Sequence, residues 1–317
     1  MYHRIANPET DPWQLAVNRE NFEQQLNVLN NNYRIVAISD LHEQLANSKL
    51  EDECICITFD DAYRDNYLHA KPLLEKYDCP ATFFVPSYFI GTDREFWWDE
   101  LKNIILQSET LPSSLSLKIR EDFLHFQVRD EILSDEVRAK NASWVWPEKA
   151  PTERCELYFS LWELLQPLTI DEVESTMNDL KIWAGYSHSG NKEDLPMTSC
   201  QLEEILKHPL FDVGIHTLTH QALAFHPREI QRSEIVACKK DLEKRSESEI
   251  TFFAYPYGNY NATTLSLVKE ENLTLAFTTQ EKTITSDSDT TLLGRFQVLN
   301  QNGKIFKRQL RNWFQNF

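Results

Sequence analysis

The chain has 317 residues, 41% of them hydrophobic, eight Trp and a formal charge of −17, material for one large α/β domain or two small ones. The acidic balance and the lack of clustered Lys and Arg argue against nucleic acid and against an anionic membrane surface. No stretch of eighteen apolar residues is present for a transmembrane helix, and Met1-Tyr2-His3-Arg4-Ile5-Ala6-Asn7-Pro8 carries no signal-peptide hydrophobic region, so the expectation is a cytoplasmic protein with no stable membrane insertion. Cys54 and Cys56 alternate within a strand-like run, Cys79, Cys155, Cys200 and Cys238 are scattered, and no C-x-x-C occurs. These cysteines read as buried thiols and not as a zinc site.

Residues 18–31 have the spacing of an amphipathic helix, with Phe22, Leu26 and Leu29 on one face. A short strand over 33–38 follows, then a helix over 40–46 with Asp40 as N-cap. Residues 54–59 are almost wholly apolar, the pattern of a strand covered on both faces. A helix over 65–77 and a strand over 81–85 complete a βαβ unit. Residues from about 94 to 198 break the rhythm. They are rich in Leu, Glu and Trp, with Pro147, Pro151 and Pro167 at corners, and read as a helical insertion in a single domain spanning 1–317. The rhythm then resumes: strand 211–215, helix 228–247, strand 251–255, helix 262–271, strand 275–279. Such regularity predicts a (β/α) barrel or a relative, with chemistry at the C-terminal ends of the strands.

Two motifs fall there. Ile57-Thr58-Phe59-Asp60-Asp61 is an apolar run that stops at adjacent carboxylates, and His216-Thr217-Leu218-Thr219-His220 follows Val213-Gly214-Ile215. Asp61, His216 and His220 are the candidate ligands of a divalent ion, a two-His, one-carboxylate set that accepts Zn²⁺, Co²⁺, Ni²⁺, Fe²⁺ or Mn²⁺. The histidines are expected to converge through a helical turn, since i and i+4 share a face. A bound ion brings water to a pKa of about 7, and Asp60 is the candidate general base. Adjacent side chains alternate along a strand, so the pair is sensible only where the backbone turns. Tyr63 and Asp65-Asn66 mark such a turn. A third motif, Phe252-Phe253-Ala254-Tyr255-Pro256-Tyr257-Gly258, predicts a tight turn whose backbone N–H, at Tyr257, can hold an oxyanion.

At these residues the chain resembles the polysaccharide deacetylases, the NodB-homology or carbohydrate esterase family four enzymes. The resemblance runs from Met1-Tyr2-His3-Arg4 through Thr58-Phe59-Asp60-Asp61, Tyr63-Arg64-Asp65-Asn66 and Pro80-Ala81-Thr82-Phe83-Phe84-Val85. It continues through Phe96-Trp97-Trp98-Asp99-Glu100-Leu101, Gly214-Ile215-His216-Thr217-Leu218-Thr219-His220 and Phe253-Ala254-Tyr255-Pro256-Tyr257-Gly258. The Trp-Trp-Asp-Glu-Leu segment and the insertion are similar to a subgroup linked to bacterial surface-polysaccharide assembly.

The family implies a deformed (β/α)7 barrel and metal-dependent removal of acyl groups from N-acylated sugars. Asp60 then matches the base, Asp61, His216 and His220 the ligands, and Tyr257 the oxyanion donor. Three positions depart from the pattern. Ala254 stands where the family often has Arg, and Arg295 in Leu293-Gly294-Arg295-Phe296 is the candidate replacement. No His follows His226, so His3 is the candidate general acid. Ala62 stands where Gly is common. Trp97, Trp98 and Asp99 open the insertion, and Trp98, Asp99 and Tyr257 are candidate substrate contacts because aromatic faces stack on sugar rings. The expected reaction is hydrolysis of the N-acetyl amide of an amino sugar in a glycan or its precursor. The alternatives are an N-deformylase, an O-acetyl esterase and a glycan-binding protein that has lost catalysis.

Overall fold

The computed structural model of the protein describes residues 1–51, 53–187 and 194–316. The chain forms two compact units: Met1–Asn7, Leu15–Asp93 and Pro196–Phe317 make the first, and Pro8–Gln14 with Arg94–Leu195 make the second. In chain order the elements are α1 (Arg19–Asn32), β1 (Arg34–Ile35), α2 (Ile38–Ala46), β2 (Cys54–Ile55), β3 (Ile57–Phe59), α3 (Lys71–Lys76) and β4 (Ala81–Val85). The second unit adds α4 (Trp97–Lys102), β5 (Ser114–Ile119), β6 (Asp122–Gln127), α5 (Asp135–Ser143), α6 (Glu153–Leu165) and α7 (Ile170–Ala184). The first unit resumes with α8 (Ser199–Leu206), β7 (Phe211–Ile215), α9 (Arg228–Ser246), β8 (Phe252–Ala254), α10 (Ala262–Glu270), β9 (Leu275–Phe277) and α11 (Gly303–Asn316). Among the described residues no helix is long and apolar enough to cross a membrane.

The first unit is a deformed (β/α)7 barrel. Five strands pair in the order β3-β4-β7-β8-β9, all parallel. Two further staves flank them by single bridges, Tyr2 beside Phe59 at one edge and Leu293 beside Phe277 at the other. The ring closes where Met1 N donates to Phe296 O at 2.8 Å and Val298 N donates to Met1 O at 3.0 Å. The barrel is irregular because these two staves share few ladder bonds with their neighbours. Its strands are buried on both faces, as parallel strands under helices must be: β4 is covered along its whole length and so is β3.

Local chemistry explains most boundaries. Asn18 caps α1 by accepting from Asn21 N at 2.8 Å, and Phe22, Leu26 and Leu29 face the core. The predicted cap at Asp40 is wrong. Helix α2 starts earlier, at Ile38, and Asp212 of β7 serves its first turn by accepting from Ser39 N and Ser39 Oγ, both at 3.1 Å. The predicted strand over 54–59 is two strands. β2 leaves the barrel sheet to pair with β1, so Cys54 and Cys56 are only half-buried, and Cys200 is exposed; Cys79, Cys155 and Cys238 are buried as expected.

Gly214 in β7 has no room for a side chain. A Cβ there would stand 2.5 Å from Phe84 Cδ1 and 3.0 Å from Phe252 O. Gly214→Ala is expected to cost about 1–3 kcal/mol of stability and to lower the melting temperature by roughly 2–4 °C per kcal/mol. A melt unchanged within error would show that the Phe84 ring yields freely.

The second unit is not wholly helical. Ser114–Ile119 and Asp122–Gln127 form an antiparallel hairpin whose first strand alternates exposed and buried residues along Ser-Leu-Ser-Leu-Lys-Ile. That period-2 alternation is a strand signal. Pro147, Pro151 and Pro167 do stand between helices. Residues 188–193 of the expected insertion lie outside the described residues. The unit is knotted around Arg154, whose guanidinium donates to Asp130 O at 2.7 Å, Ser108 O at 2.6 Å and Glu131 O at 2.9 Å.

Candidate active site

Asp60 still belongs to the barrel wall, since its N–H donates to Tyr2 O at 3.0 Å. Asp61 and Ala62 then take left-handed backbone, with φ of 71° and 54°. This pair of turns lets neighbouring carboxylates serve the same site from different sides. Ala62, where Gly would be free of strain, is held by burial and by Met197 N donating to its carbonyl at 3.0 Å.

His216 follows β7 directly. Its Nδ1 lies 2.8 Å from Ala254 O, a contact that calls for a proton on Nδ1 and turns Nε2 toward Asp61. His216 Nε2 is 3.5 Å and His220 Nε2 3.1 Å from Asp61 Oδ1. The expected helical turn between the histidines is absent. Thr217 and His220 both have positive φ, 60° and 59°, and the segment is an irregular loop. Side chains hold it: Thr217 Oγ1 accepts from Gln221 N at 3.1 Å, and Glu234 of α9 accepts from both Thr219 N and Thr219 Oγ1 at 2.8 Å. Sequence reasoning missed Glu234. The available signal was its place beside Ile235, Cys238 and Leu242 on the buried stripe of α9, where an acid needs a partner.

The Asp61, His216 and His220 ligand atoms lie within 4.8 Å of one another, and all three residues are buried. Asp61 Oδ1 is buried and accepts no hydrogen bond. Burial pushes the Asp61 carboxyl up, but the two histidines outweigh it and hold it well below the usual carboxylate range. A buried carboxylate oxygen without a donor, facing two imidazole nitrogens, fits a divalent cation.

Arg295 stands beside Asp60. Nη1 reaches Oδ1 at 2.7 Å and Nη2 reaches Oδ2 at 2.8 Å, while Nε donates to Thr278 O at 3.1 Å. The guanidinium lies over the rings of Phe84 and Phe277, 5.4 and 5.9 Å from their centroids. Burial pushes the Asp60 carboxyl up, and the Arg295 charge and bonds outweigh that to hold it below the ordinary value.

His3 is on the first stave. Its carbonyl accepts from Asn66 Nδ2 at 2.8 Å, and its Nδ1 is buried with no hydrogen-bond partner. Burial lowers its pKa, opposed by the charges of Asp61 and Asp60. The neighbouring Arg4 binds Asp65 Oδ2 at 2.9 Å and Ile5 N donates to Asp65 Oδ1 at 2.9 Å, so Asp65 and Asn66 do more than mark a turn: they fix the stave that carries His3. Tyr257 has φ of 56°, and its ring meets the His220 ring edge-on at 4.6 Å. Gly258 has φ of 63°, and a Cβ there would collide with Thr279 Oγ1.

Trp98 and Asp99 are side chains of the second unit. Trp98 stacks on Phe96 with centroids 4.7 Å apart, and Asp99 accepts from Lys102 Nζ at 2.7 Å. Nearby, burial and the charges of Asp99 and Asp194 push Glu95 up to about 8.

The barrel and its strand-end cluster define the NodB type of deformed (β/α) barrel. The family described as polysaccharide deacetylase matches residues 47–108 and 171–276, more than half of the chain. The chain belongs to that family. YxkH of Bacillus subtilis (strain 168), which carries the same family name, is 33% identical over 106 residues, covering 33% of this chain and 37% of that protein. The chain thus matches about a third of this relative's length. Among solved structures, the Streptococcus pyogenes deacetylase PplD in complex with acetate superposes with a TM-score of 0.60 at 20% identity, covering 99% of this chain and 96% of that one. IcaB from Ammonifex degensii gives 0.57 at 18% identity, covering 99% and 94%. At these identities the likeness is one of fold.

Proposed function

We propose that this chain is a metal-dependent carbohydrate deacetylase that hydrolyses the N-acetyl amide of an amino sugar in a glycan or glycan precursor. The observation that carries the reading is the donor-less Asp61 Oδ1 facing two imidazole nitrogens, beside a second carboxylate kept ionised by Arg295. Family membership supports carbohydrate deacetylation.

In this reading Asp61, His216 and His220 hold the ion. A divalent ion there supplies acidification of water to a pKa of about 7 and polarisation of the acyl oxygen. Asp60 takes the proton of the attacking water, and Arg295 keeps that carboxylate charged and aimed. The Tyr257 N–H donates to the developing oxyanion. His3, whose pKa burial lowers, is the candidate relay that receives the proton Asp60 took from the water and delivers it to the departing amine, which returns Asp60 to its ionised state. Tyr257, whose ring meets the His220 ring, stays in the reading as a sugar contact; Trp98 and Asp99 are buried within the second unit.

The test is acyl release from a panel of N-acetyl, N-formyl and O-acetyl sugars, using metal-stripped protein with Zn²⁺ or Co²⁺ added back. Acetate released from the N-acetyl sugars, dependent on metal and lost in His216→Ala, is the expected result. Formate in its place would make the enzyme a deformylase, and release from the esters alone an esterase. Metal bound at one equivalent with no release from any sugar would favour a binding protein.

A further inference from the structure

Helix α9 carries three buried hydrogen-bonding side chains, Gln231, Glu234 and Cys238. Spacings of three and four residues put them on one helix face. Each bonds to a segment that bears on the two histidines. Cys238 Sγ donates to Val85 O at 3.2 Å, and the same carbonyl accepts from His216 N at 3.2 Å. Glu234 accepts from Thr219 N and Thr219 Oγ1, both at 2.8 Å, and Leu218 and Thr217 add bonds to the same carboxylate. Gln231 Nε2 donates to His226 O at 2.8 Å. Gln231 is fixed in turn by Thr264 Oγ1 of α10, which donates to its Oε1 at 2.6 Å. The loop from His216 to His226 is thus fastened at its start, middle and end to one face of one helix.

The loop needs that fastening. Thr217 and His220 hold left-handed backbone, with φ of 60° and 59°. Residues other than glycine, and β-branched ones above all, stay there only when their surroundings over-determine it. An ionised carboxylate only accepts hydrogen bonds. Glu234 therefore selects the arrangement in which the donors of residues 217–219 turn toward α9. In that arrangement the next side chain, His220, places Nε2 3.1 Å from Asp61 Oδ1. His216 has an orienting partner of its own in Ala254 O, 2.8 Å from Nδ1.

We propose that Glu234 is a positioning residue of the metal site. Acting through Thr219, it holds the His216–His220 loop in its ligating conformation before an ion arrives, and so sets the affinity and the coordination geometry of that ion. The proposal rests on the metal-dependent reading of the site. Partners one step behind metal ligands are typically worth about 10–100-fold in metal affinity, and a site that needs no reordering loses less entropy on binding. A Glu234 that served only the packing of α9 would behave differently. Its loss would lower the melting temperature of the metal-free chain and leave the metal affinity of the folded molecules as it was.

The experiment titrates the metal-stripped full chain with Zn²⁺ against a competing chelator, and with Co²⁺, whose visible absorption reports ligand geometry. Thr219→Val keeps the side-chain shape and the backbone N–H, and removes only the hydroxyl bond to Glu234. It is expected to weaken zinc binding about tenfold and to shift the cobalt bands. Thr219→Ser, which restores a hydroxyl, should return both close to the parent. Glu234→Gln, which places an amide NH2 among donors, should weaken zinc more than Thr219→Val does. Asn18→Ala, which removes the cap of α1, controls for general loss of stability: it should lower the melt of the metal-free chain and leave zinc affinity unchanged. Zinc affinity and cobalt bands equal to the parent's in Thr219→Val and Glu234→Gln overturn the proposal. So does a loss that Thr219→Ser fails to restore, or one that Asn18→Ala reproduces. A parent that binds no metal removes the metal reading and this proposal together. A parent that binds zinc and responds to Thr219→Val as expected, yet releases no acyl group from any sugar, upholds this proposal and removes only the deacetylase reading.

Discussion

Asp60→Asn is expected to bind one equivalent of zinc and to turn over about 10²–10⁴-fold more slowly than the parent, the usual worth of a general base. Asn retains the shape and one acceptor for Arg295, but it cannot take a proton from water. The ligand set is untouched: Asp61 reaches the histidines through the backbone turn at residues 61 and 62, not through Asp60. The measurement pairs metal stoichiometry with kcat on whichever acyl sugar the parent hydrolyses. Turnover within a few-fold of the parent would remove Asp60 from the base role, and loss of the metal would mean that Asp60 shapes the ligand site.

Arg295→Met is expected to have the largest effect on stability. It strands the Asp60 carboxylate at 2% exposure, and removing one partner of a buried pair costs about 3–5 kcal/mol. The pH dependence of that loss has a definite sign. In the parent the Asp60 pKa is depressed, so its contribution is present above the unfolded-state value and is lost as pH falls through the folded one. In Arg295→Met burial still pushes the carboxyl up, now opposed only by the charges of His216 and His3, so its folded-state pKa rises from the parent's depressed value and the variant holds its proton to higher pH. The gap between parent and variant should therefore widen as pH rises between the two folded-state values and narrow toward acid. Denaturant melts across that range check it. A gap that is constant with pH would mean that Asp60 finds another counter-charge.

The motifs were legible where a few adjacent residues carry both the fold and the chemistry. An apolar run that ends in two acids, or in His-x-x-x-His, announces a strand end and a ligand set at once. Arg295 was legible only as a candidate, because its partner Asp60 is 235 residues away and no local pattern links them. The His216–His220 loop was misread because spacing alone cannot report positive φ at Thr217 and His220. Those conformations are imposed by Glu234 and by packing, both tertiary. The cap of α2 failed similarly: Asp40 is a good local candidate, but Asp212 arrives from another strand. The hairpin at Ser114–Ile119 and Asp122–Gln127 was different, since its alternation was in the sequence and was overridden by the helical character of its surroundings.

The second unit takes its residues from two separate stretches, Pro8–Gln14 and Arg94–Leu195. The short stretch supplies Trp13, bonded to Tyr158, and Pro12, bonded to the segment of Trp146. The unit therefore cannot be handled as a cassette. Grafting 94–195 alone into another barrel would leave Tyr158 and Trp162 without the indole that covers them, and excising it would leave Trp13 bare on the donor. Any chimera of this protein has to move both pieces together, and ribosomal synthesis must deliver the short one some eighty residues before the rest of its unit exists.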